Sequence, residues 1–317
     1  MNIRKVFSSS IVNLAYQLLP ATCAIVMVPL TINWFGSELF SAFSLAISII
    51  ILFNYLNFGV AQSANRELSK EYSGNNKVQI NKVVTSSFIG MLIIGLLLSI
   101  AGVTLSDIIT QSLISKNSEI YTEVKVMIQA VLVASPLFLL VILCRSILES
   151  KLLFKYTSFN RALLNTFIFL SPAFCYFLSL DLRYSIYFII AVHGVSFITL
   201  LFIVISEFEG IKIAISRETF LKLFVTGGWL TLISLSSVGF LYADKFIIGS
   251  ALGLTSLAFY VAAYDLISRA SILYGSITAA FFPAFSYWIK VNDLDSLRRT
   301  MAGMQRIVLI RSRMRLQ

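Results

Sequence analysis

The chain has 317 residues, of which 58% are apolar and 13% are charged, whereas soluble domains carry about 45–50% apolar and about 25% charged residues. A mean hydropathy of +0.86 excludes an ordinary soluble enzyme and predicts a polytopic membrane protein. Because lipid offers the backbone no hydrogen-bond partners, and the apolar runs show no strict alternation, the membrane spans are predicted to be helices.

Eight transmembrane helices are predicted in chain order. They are placed near residues 11–35, 39–62, 83–106, 124–148, 161–181, 184–206, 224–250 and 256–284. The first run contains Pro20 and Pro29 and extends to Phe35, so a retained helix is expected there rather than a cleaved leader. The predicted fold is an all-α polytopic membrane protein with about eight transmembrane helices. A complete six-helix bundle is expected in residues 1–223 and an incomplete second bundle in residues 224–317.

The basic residues predict the orientation of these helices. Of the 25 Lys and Arg residues, 20 fall at the N-terminus or in connections that alternate spans place on one side. The positive-inside rule then puts the N-terminus in the cytoplasm. The net charge of +10 is therefore attributed to basic residues that mark the cytoplasmic side of the membrane. No nucleic-acid partner is expected, because no soluble segment is long enough to fold alone.

The end of the sequence departs from the pattern of spans. After Asp293 and Asp295 the chain is weakly apolar and then ends in a basic run from Arg311. Either a basic cytoplasmic tail or a ninth helix cut short would explain this pattern, and the sequence favours a C-terminal truncation.

Ionisable side chains within spans are the first candidates for function, because each costs at least about 2.5 kcal/mol on insertion scales. Asp265 and Arg269 are four residues apart on one helix face and form either a structural ion pair or part of a site. Asp244 and Lys245 follow Tyr242 in the seventh span. Neighbouring residues point about 100° apart, so these two should not face the same ligand.

Two further features are polar groups in apolar helices. Asn13, Gln17 and Pro20 form one stripe on the first helix, which is either a substrate path or a patch of interhelical hydrogen bonds. His193 is the only histidine and is either a proton relay or a buried hydrogen-bonded side chain. Phosphate loops, nucleophile elbows and metal-ligand clusters are absent from the sequence, so neither an enzyme nor a cofactor is predicted.

Six segments carry a resemblance to a known family. They are NLAYQLLP at 13–20, FGSELFSAFSL at 35–45, LNFGV at 56–60, GWLT at 228–231, YADKFIIG at 242–249 and FPAFS at 282–286. Their order and spacing resemble those of the bacterial O-antigen and polysaccharide flippases. These form the polysaccharide biosynthesis protein family of the multidrug/oligosaccharidyl-lipid/polysaccharide exporter superfamily.

The resemblance implies two six-helix bundles around a central cavity and alternating access, and this chain supplies only eight of those helices. It implies translocation of undecaprenyl-diphosphate-linked oligosaccharide repeat units across the bacterial inner membrane, with lipid-linked oligosaccharide and membrane lipid as partners. A polysaccharide polymerase and the chain-length machinery are the protein partners it suggests. The substrate path is expected to include the following candidates: Asn13, Gln17, Arg145, Tyr242, Asp244, Lys245, Asp265 and Arg269.

Two other functions stay open at this point. A cation-coupled drug or metabolite antiporter of the same superfamily should show excess carboxylate in its cavity, whereas two acids balance two bases in the predicted spans. A truncated fragment that does not transport is the other alternative, and the missing helices are the reason to consider it.

Overall fold

The computed structural model describes residues 3–54, 57, 59–73, 76–113, 120–208, 212–233 and 236, with side chains from residue 19 onward except at residues 72, 73, 112 and 113. The chain divides into a unit of Tyr16–Tyr242 and a second unit of Met1–Ala15 with Ala243–Gln317. All of the described side chains belong to the first unit. Within the described residues the chain is helical almost throughout and contains no strand, which confirms the predicted all-α class.

Nine helices are described. They are α1 (Ile3–Phe35), α2 (Ser37–Phe53), α3 (Val60–Ser73), α4 (Lys77–Leu113), α5 (Tyr121–Val133), α6 (Ser135–Ser150), α7 (Phe154–Phe177), α8 (Tyr184–Glu207) and α9 (residues 217–233). The first six predicted spans correspond to α1, α2, α4, the α5–α6 pair, α7 and α8. The eighth predicted span and most of the seventh lie outside the described residues. The predicted division into bundles at residue 224 stays a prediction.

Helices that could cross a membrane are found in this part of the chain. Lys77–Gln111 and Tyr184–Glu207 are each long and apolar enough, and α5 and α6, which are bent by 45° relative to each other, pass the same test only when they are taken together as one broken span. The bend falls at Ala134, two residues before Pro136 near the start of α6. Proline cannot donate a backbone hydrogen bond but is tolerated in the first turn of a helix, which is where this one lies.

The second predicted span extends too far. It was expected to continue to residue 62, but α2 ends at Phe53. Asn57 donates from Nδ2 to the carbonyl of Asn54 at 2.7 Å and accepts from the N–H of Gly59 at 2.9 Å. Gly59 has φ +62°, and a Cβ there would lie 2.1 Å from the carbonyl oxygen of Gly227 in α9. A glycine in the left-handed region therefore makes the turn and lets α9 approach.

Helix α6 is at the centre of this unit. It contacts α2, α3, α4, α5, α7 and α8, and Leu143, Ile147 and Leu148 on it are fully buried. Close packing with α4 depends on Gly95, where a Cβ would lie 2.5 Å from the Cα of Pro136. Ser135 Oγ also donates to the Gly95 carbonyl at 2.9 Å. Small residues and interhelical hydrogen bonds are the interactions that join helices in a membrane.

The two ends of the bundle differ chemically. We call one the basic end, which comprises α3, the C-terminal turns of α6 and α8, and the first turns of α7 and α9. There Asn65 Nδ2 donates to the Ser146 carbonyl at 2.8 Å, which ties α3 to α6. At the opposite, aromatic end, the rings of Trp34 and Tyr176 stack with centroids 4.3 Å apart. Lys125 and Arg183 at that end both pair with aspartates, and aromatic residues of this kind are typical of a membrane interface.

Candidate functional site

Arg145 is the sequence-predicted site residue that the structure describes most fully. It lies on α6, just over one turn before the helix ends at Ser150, between the buried residues Cys144 and Ser146. Its side chain is half-buried. It makes no hydrogen bond or ion pair with any residue that the structure describes, although Arg161 and Glu149 are close enough to interact with it electrostatically.

A second arginine and one acid complete the site. Arg161, near the start of α7, donates from Nη2 to Glu149 Oε1 on α6 at 2.5 Å. The carboxylate is mostly buried, at 21% exposure, whereas the guanidinium is 55% exposed. We call Arg145, Arg161 and Glu149 the arginine cluster. Since its single carboxylate is occupied by Arg161, the cluster carries one positive charge in excess, and Arg145 is the guanidinium left without a direct partner among the described residues.

His193 is buried in α8, within electrostatic reach of Arg145. Its Nδ1 donates to the Ile189 carbonyl at 2.8 Å, one turn earlier in the same helix. Its ring also meets that of Phe138 edge to face, with centroids 4.6 Å apart. Because a carbonyl only accepts, Nδ1 carries a proton and Nε2 is the atom that remains for other chemistry. The predicted proton relay stays a prediction.

A buried amide lies between α7 and α8. Asn160 Nδ2 and Ser196 Oγ are 2.6 Å apart, and Asn160 is 8% exposed. Its Oδ1 is inaccessible and has no hydrogen-bond partner among the described residues. A buried polar atom without a partner costs about 1–3 kcal/mol.

The remaining predicted path residues are not described. Asn13 and Gln17 belong to α1, but their side chains are not described. Tyr242, Asp244, Lys245, Asp265 and Arg269 lie outside the described residues. Their roles stay predictions.

Sequence reasoning missed several charged contacts. Arg161, Lys70 and Lys222 were treated only as topology markers, yet each is paired. Glu67 on α3 is buried and is contacted by Lys70 at 3.0 Å and by Lys222 of α9 at 2.6 Å. The spacing of four between Arg145 and Glu149 is a sequence signal that places both on one face of α6. No such signal exists for the pair formed by Glu67 and Lys222, which are 155 positions apart.

The model of one protein family matches most of the chain. The family is described as polysaccharide biosynthesis protein, and its model covers residues 3–288. The chain belongs to the polysaccharide biosynthesis protein family. This confirms the family that the sequence motifs resemble.

A curated relative from Shigella flexneri is named "Putative O-antigen transporter". This family member is 23% identical to it over 296 residues, which are 93% of the chain and 69% of the relative. The chain therefore spans about two thirds of the length of that relative.

Solved structures give the same fold. A MOP superfamily transporter from Pyrococcus furiosus is 15% identical and superposes with a TM-score of 0.68 over 93% of this chain and 66% of that one. An outward-facing multidrug resistance MATE family transporter is 15% identical and superposes with a TM-score of 0.69 over 94% and 68%. The polysaccharide biosynthesis family member thus has the fold of these membrane transporters.

Proposed function

We propose that this protein belongs to the machinery that translocates undecaprenyl-diphosphate-linked oligosaccharide repeat units across the bacterial inner membrane by alternating access. The family, the transporter fold and the similarity to the Shigella flexneri protein support this proposal. The substrate carries a lipid chain, two phosphates and polar sugars. Its passage therefore requires a polar path with cationic groups inside an otherwise apolar bundle.

Arg145, which has no hydrogen bond or ion pair within the described part of the chain, is the observation that carries the proposal. A half-buried guanidinium in an apolar helix is costly unless an anion meets it. Glu149 is close but is held by Arg161, so the arginine cluster can accept a further negative charge. A planar guanidinium binds phosphate oxygens in a bidentate manner. We infer that Arg145 receives the diphosphate as the substrate enters from the basic end.

The charge of the cluster opposes the cation antiporter alternative. A cation site would need carboxylates in excess, whereas this cluster has two guanidiniums and one carboxylate. The cytoplasmic position of the basic end, the inner membrane location and the contacts with a polymerase and chain-length machinery belong to the proposal and need their own tests.

Binding of a lipid diphosphate to the purified chain is the direct test. Undecaprenyl diphosphate would be titrated into the 317-residue chain in nanodiscs, with undecaprenol as the uncharged comparison. Arg145→Gln should weaken binding of the diphosphate about tenfold, which corresponds to about 1.4 kcal/mol, and leave the weak binding of undecaprenol unchanged. Arg145→Lys should restore part of the affinity because it keeps the charge but not the fork of donors.

Arg66 supplies the matched control. It is an exposed arginine on α3 at the basic end, so Arg66→Gln should leave binding within twofold or so of the wild type. Equal losses of diphosphate affinity in Arg66→Gln and Arg145→Gln would mean that binding responds to the surface charge of the basic end and not to Arg145 in particular. Equal binding of undecaprenol and its diphosphate by the wild type would contradict the proposed substrate class.

A further inference from the structure

Two isoleucines lie exposed on the residues that precede α9. Residues 212–216, which we call the 212–216 segment, are neither helix nor strand. In this segment Ile213 is 85% exposed and Ile215 is 76% exposed, whereas Ala214 and Ser216 are half-buried. Hydropathy assigned these residues to a connection between the sixth and seventh predicted spans, which leaves this apolar surface unexplained.

Two polar contacts hold the 212–216 segment against α4. The N–H of Ala214 donates to Thr85 Oγ1 at 3.2 Å. Ser86 Oγ donates to the carbonyl of Ser216 in a longer contact of 3.5 Å. The residues that contact α4 therefore alternate with the exposed isoleucines, and both isoleucine side chains are directed away from the bundle.

The attachment points lie where α4 enters the membrane. Residues 88–105 of α4 contain no charged side chain. A helix of this length covers about 27 Å, which is close to the hydrocarbon thickness of about 30 Å. Thr85 and Ser86 lie between this uncharged run and Lys82, the last charged residue before it. The 212–216 segment is thus at the boundary between lipid head groups and hydrocarbon.

The side of α4 that carries the segment also faces lipid. Leu92 and Ile93 follow Thr85 and Ser86 by seven residues, which is almost two turns, so they point in nearly the same directions. They are 44% and 43% exposed on a helix that is long and apolar enough to cross a membrane. The 212–216 segment therefore covers the polar start of a lipid-facing surface, and its isoleucines continue that surface.

Charged side chains flank the isoleucines. Lys212 directly precedes Ile213, Arg217 begins α9, and both are exposed. Glu218 is exposed as well, so the segment and these two neighbours carry one positive charge in excess. Apolar side chains with basic residues beside them are typical of segments that lie in a membrane interface, because the basic groups reach the phosphates while the apolar groups enter the lipid.

We propose that the 212–216 segment is an interfacial membrane anchor that inserts Ile213 and Ile215 into the lipid leaflet at the basic end. Lys212 and Arg217 remain at the level of the phosphates. The bilayer covers this surface, rather than another protein, because the surface continues the lipid-facing side of α4 at the depth where the hydrocarbon begins. The anchor holds the start of α9 at the membrane, and the proposal does not depend on transport of an oligosaccharide.

Spin-label accessibility in nanodiscs measures the depth of these side chains. Cys23→Ser leaves two cysteines, Cys144 and Cys175, and both are buried. A nitroxide can therefore be attached singly to Ile213→Cys or Ile215→Cys in the full chain. Collisions with oxygen report hydrocarbon, and collisions with the water-soluble complex NiEDDA report water. Both labels should be more accessible to oxygen than to NiEDDA and should lie about 5–10 Å below the phosphates.

Two further labels calibrate the depth with the same nitroxide. Leu97→Cys is on the exposed side of α4 within the uncharged run, about 18 Å along the helix from Thr85. It should lie deeper than the isoleucine positions. Lys212→Cys is the matched control, because it adjoins Ile213 and is equally part of the segment. It should be more accessible to NiEDDA than to oxygen.

Either of two results would overturn the proposal. Labels at Ile213 and Ile215 that are as accessible to NiEDDA as the label at Lys212 would place the segment in water and leave its apolar face to a partner protein. Labels that are shielded from both oxygen and NiEDDA would mean that a second copy, or another part of the chain, covers the isoleucines.

Discussion

At the scale of single residues, Glu149 sets the charge of the arginine cluster. It neutralises Arg161 directly and reaches Arg145 only through space. Removing this carboxylate leaves both guanidiniums available to an anion.

We predict that Glu149→Gln strengthens binding of undecaprenyl diphosphate about fivefold, equivalent to about 1 kcal/mol for one unit charge nearby. This is the opposite sign to Arg145→Gln, and the same nanodisc titration measures both. Asp181→Asn, which breaks the Asp181–Arg183 pair at the aromatic end, should leave affinity unchanged. A loss of affinity in Glu149→Gln would instead show that the acid holds Arg161 in a position that binding requires.

Glu67 is the other acid whose environment is unusual. Burial by itself raises the pKa of its carboxyl, but hydrogen bonds from Lys222 and Lys70 outweigh burial, and the net pKa is below the ordinary value. A depressed folded-state pKa contributes stability above the unfolded pKa of about 4.3, and this contribution disappears as the pH falls through the folded-state pKa.

Thermal unfolding in detergent should therefore show that Glu67→Gln destabilises the chain at pH 7. The loss should be only about 1–2 kcal/mol, because both lysines are more than half exposed and their charges are screened by solvent. The difference from wild type should shrink as the pH falls below about 4.3. Glu71→Gln on the same helix serves as the control. A difference that stays constant from neutral to acid pH would contradict the ion-pair explanation.

At the scale of helices, the approach of α4 to α6 depends on the absence of a side chain at Gly95. A methyl group there would press on the backbone of Pro136 at 2.5 Å, and backbone at the start of α6 cannot move without displacing the central helix. Gly194 on α8 is a helical glycine with nothing within 4 Å of an added Cβ.

The same substitution should thus have opposite effects at the two sites. Gly95→Ala should destabilise the chain by about 1–3 kcal/mol through overpacking. Gly194→Ala should be neutral or stabilising by up to about 1 kcal/mol, because alanine favours a helix over glycine. Thermal unfolding of both variants decides this, and equal effects would mean that the α4–α6 contact is looser than the structure shows.

At the scale of the whole molecule, the two ends of the bundle should lie on opposite sides of the membrane. Lys212 is exposed at the basic end, and Ser179 is exposed just beyond α7 at the aromatic end. The proposed orientation puts the basic end in the cytoplasm.

Cysteine labelling in cells checks this orientation. In a Cys23→Ser background, the two remaining cysteines are buried, so an impermeant maleimide should react only with introduced thiols. Ser179→Cys should be labelled on intact spheroplasts, and Lys212→Cys should be labelled only after permeabilisation. The reverse pattern would invert the topology and place the arginine cluster nearer the periplasm.

Much of the fold was accessible to sequence reasoning because hydropathy is a local property. The sixth predicted span, 184–206, matches α8 at Tyr184–Glu207 almost residue for residue. Helix α7 begins at Phe154, seven residues before the predicted start, because Lys155, Ser158 and Asn160 are polar although they are helical. The turn at Asn57 and Gly59 was missed because apolar residues continue around it, and hydropathy cannot detect a backbone reversal.

The sequence by itself determined that this is a helical membrane protein of the polysaccharide biosynthesis family, and it selected Arg145 as a candidate site residue. Composition, span length and motifs are properties of the linear sequence, so they can be found without the tertiary structure. Only the tertiary structure decided which charges are compensated. Glu149 pairs with an arginine from another helix, Glu67 pairs with a lysine 155 positions away, and Arg145 is left without a direct partner among the described residues. Such pairings depend on which helices touch, and the electrostatic state of a buried group is fixed by its neighbours in space.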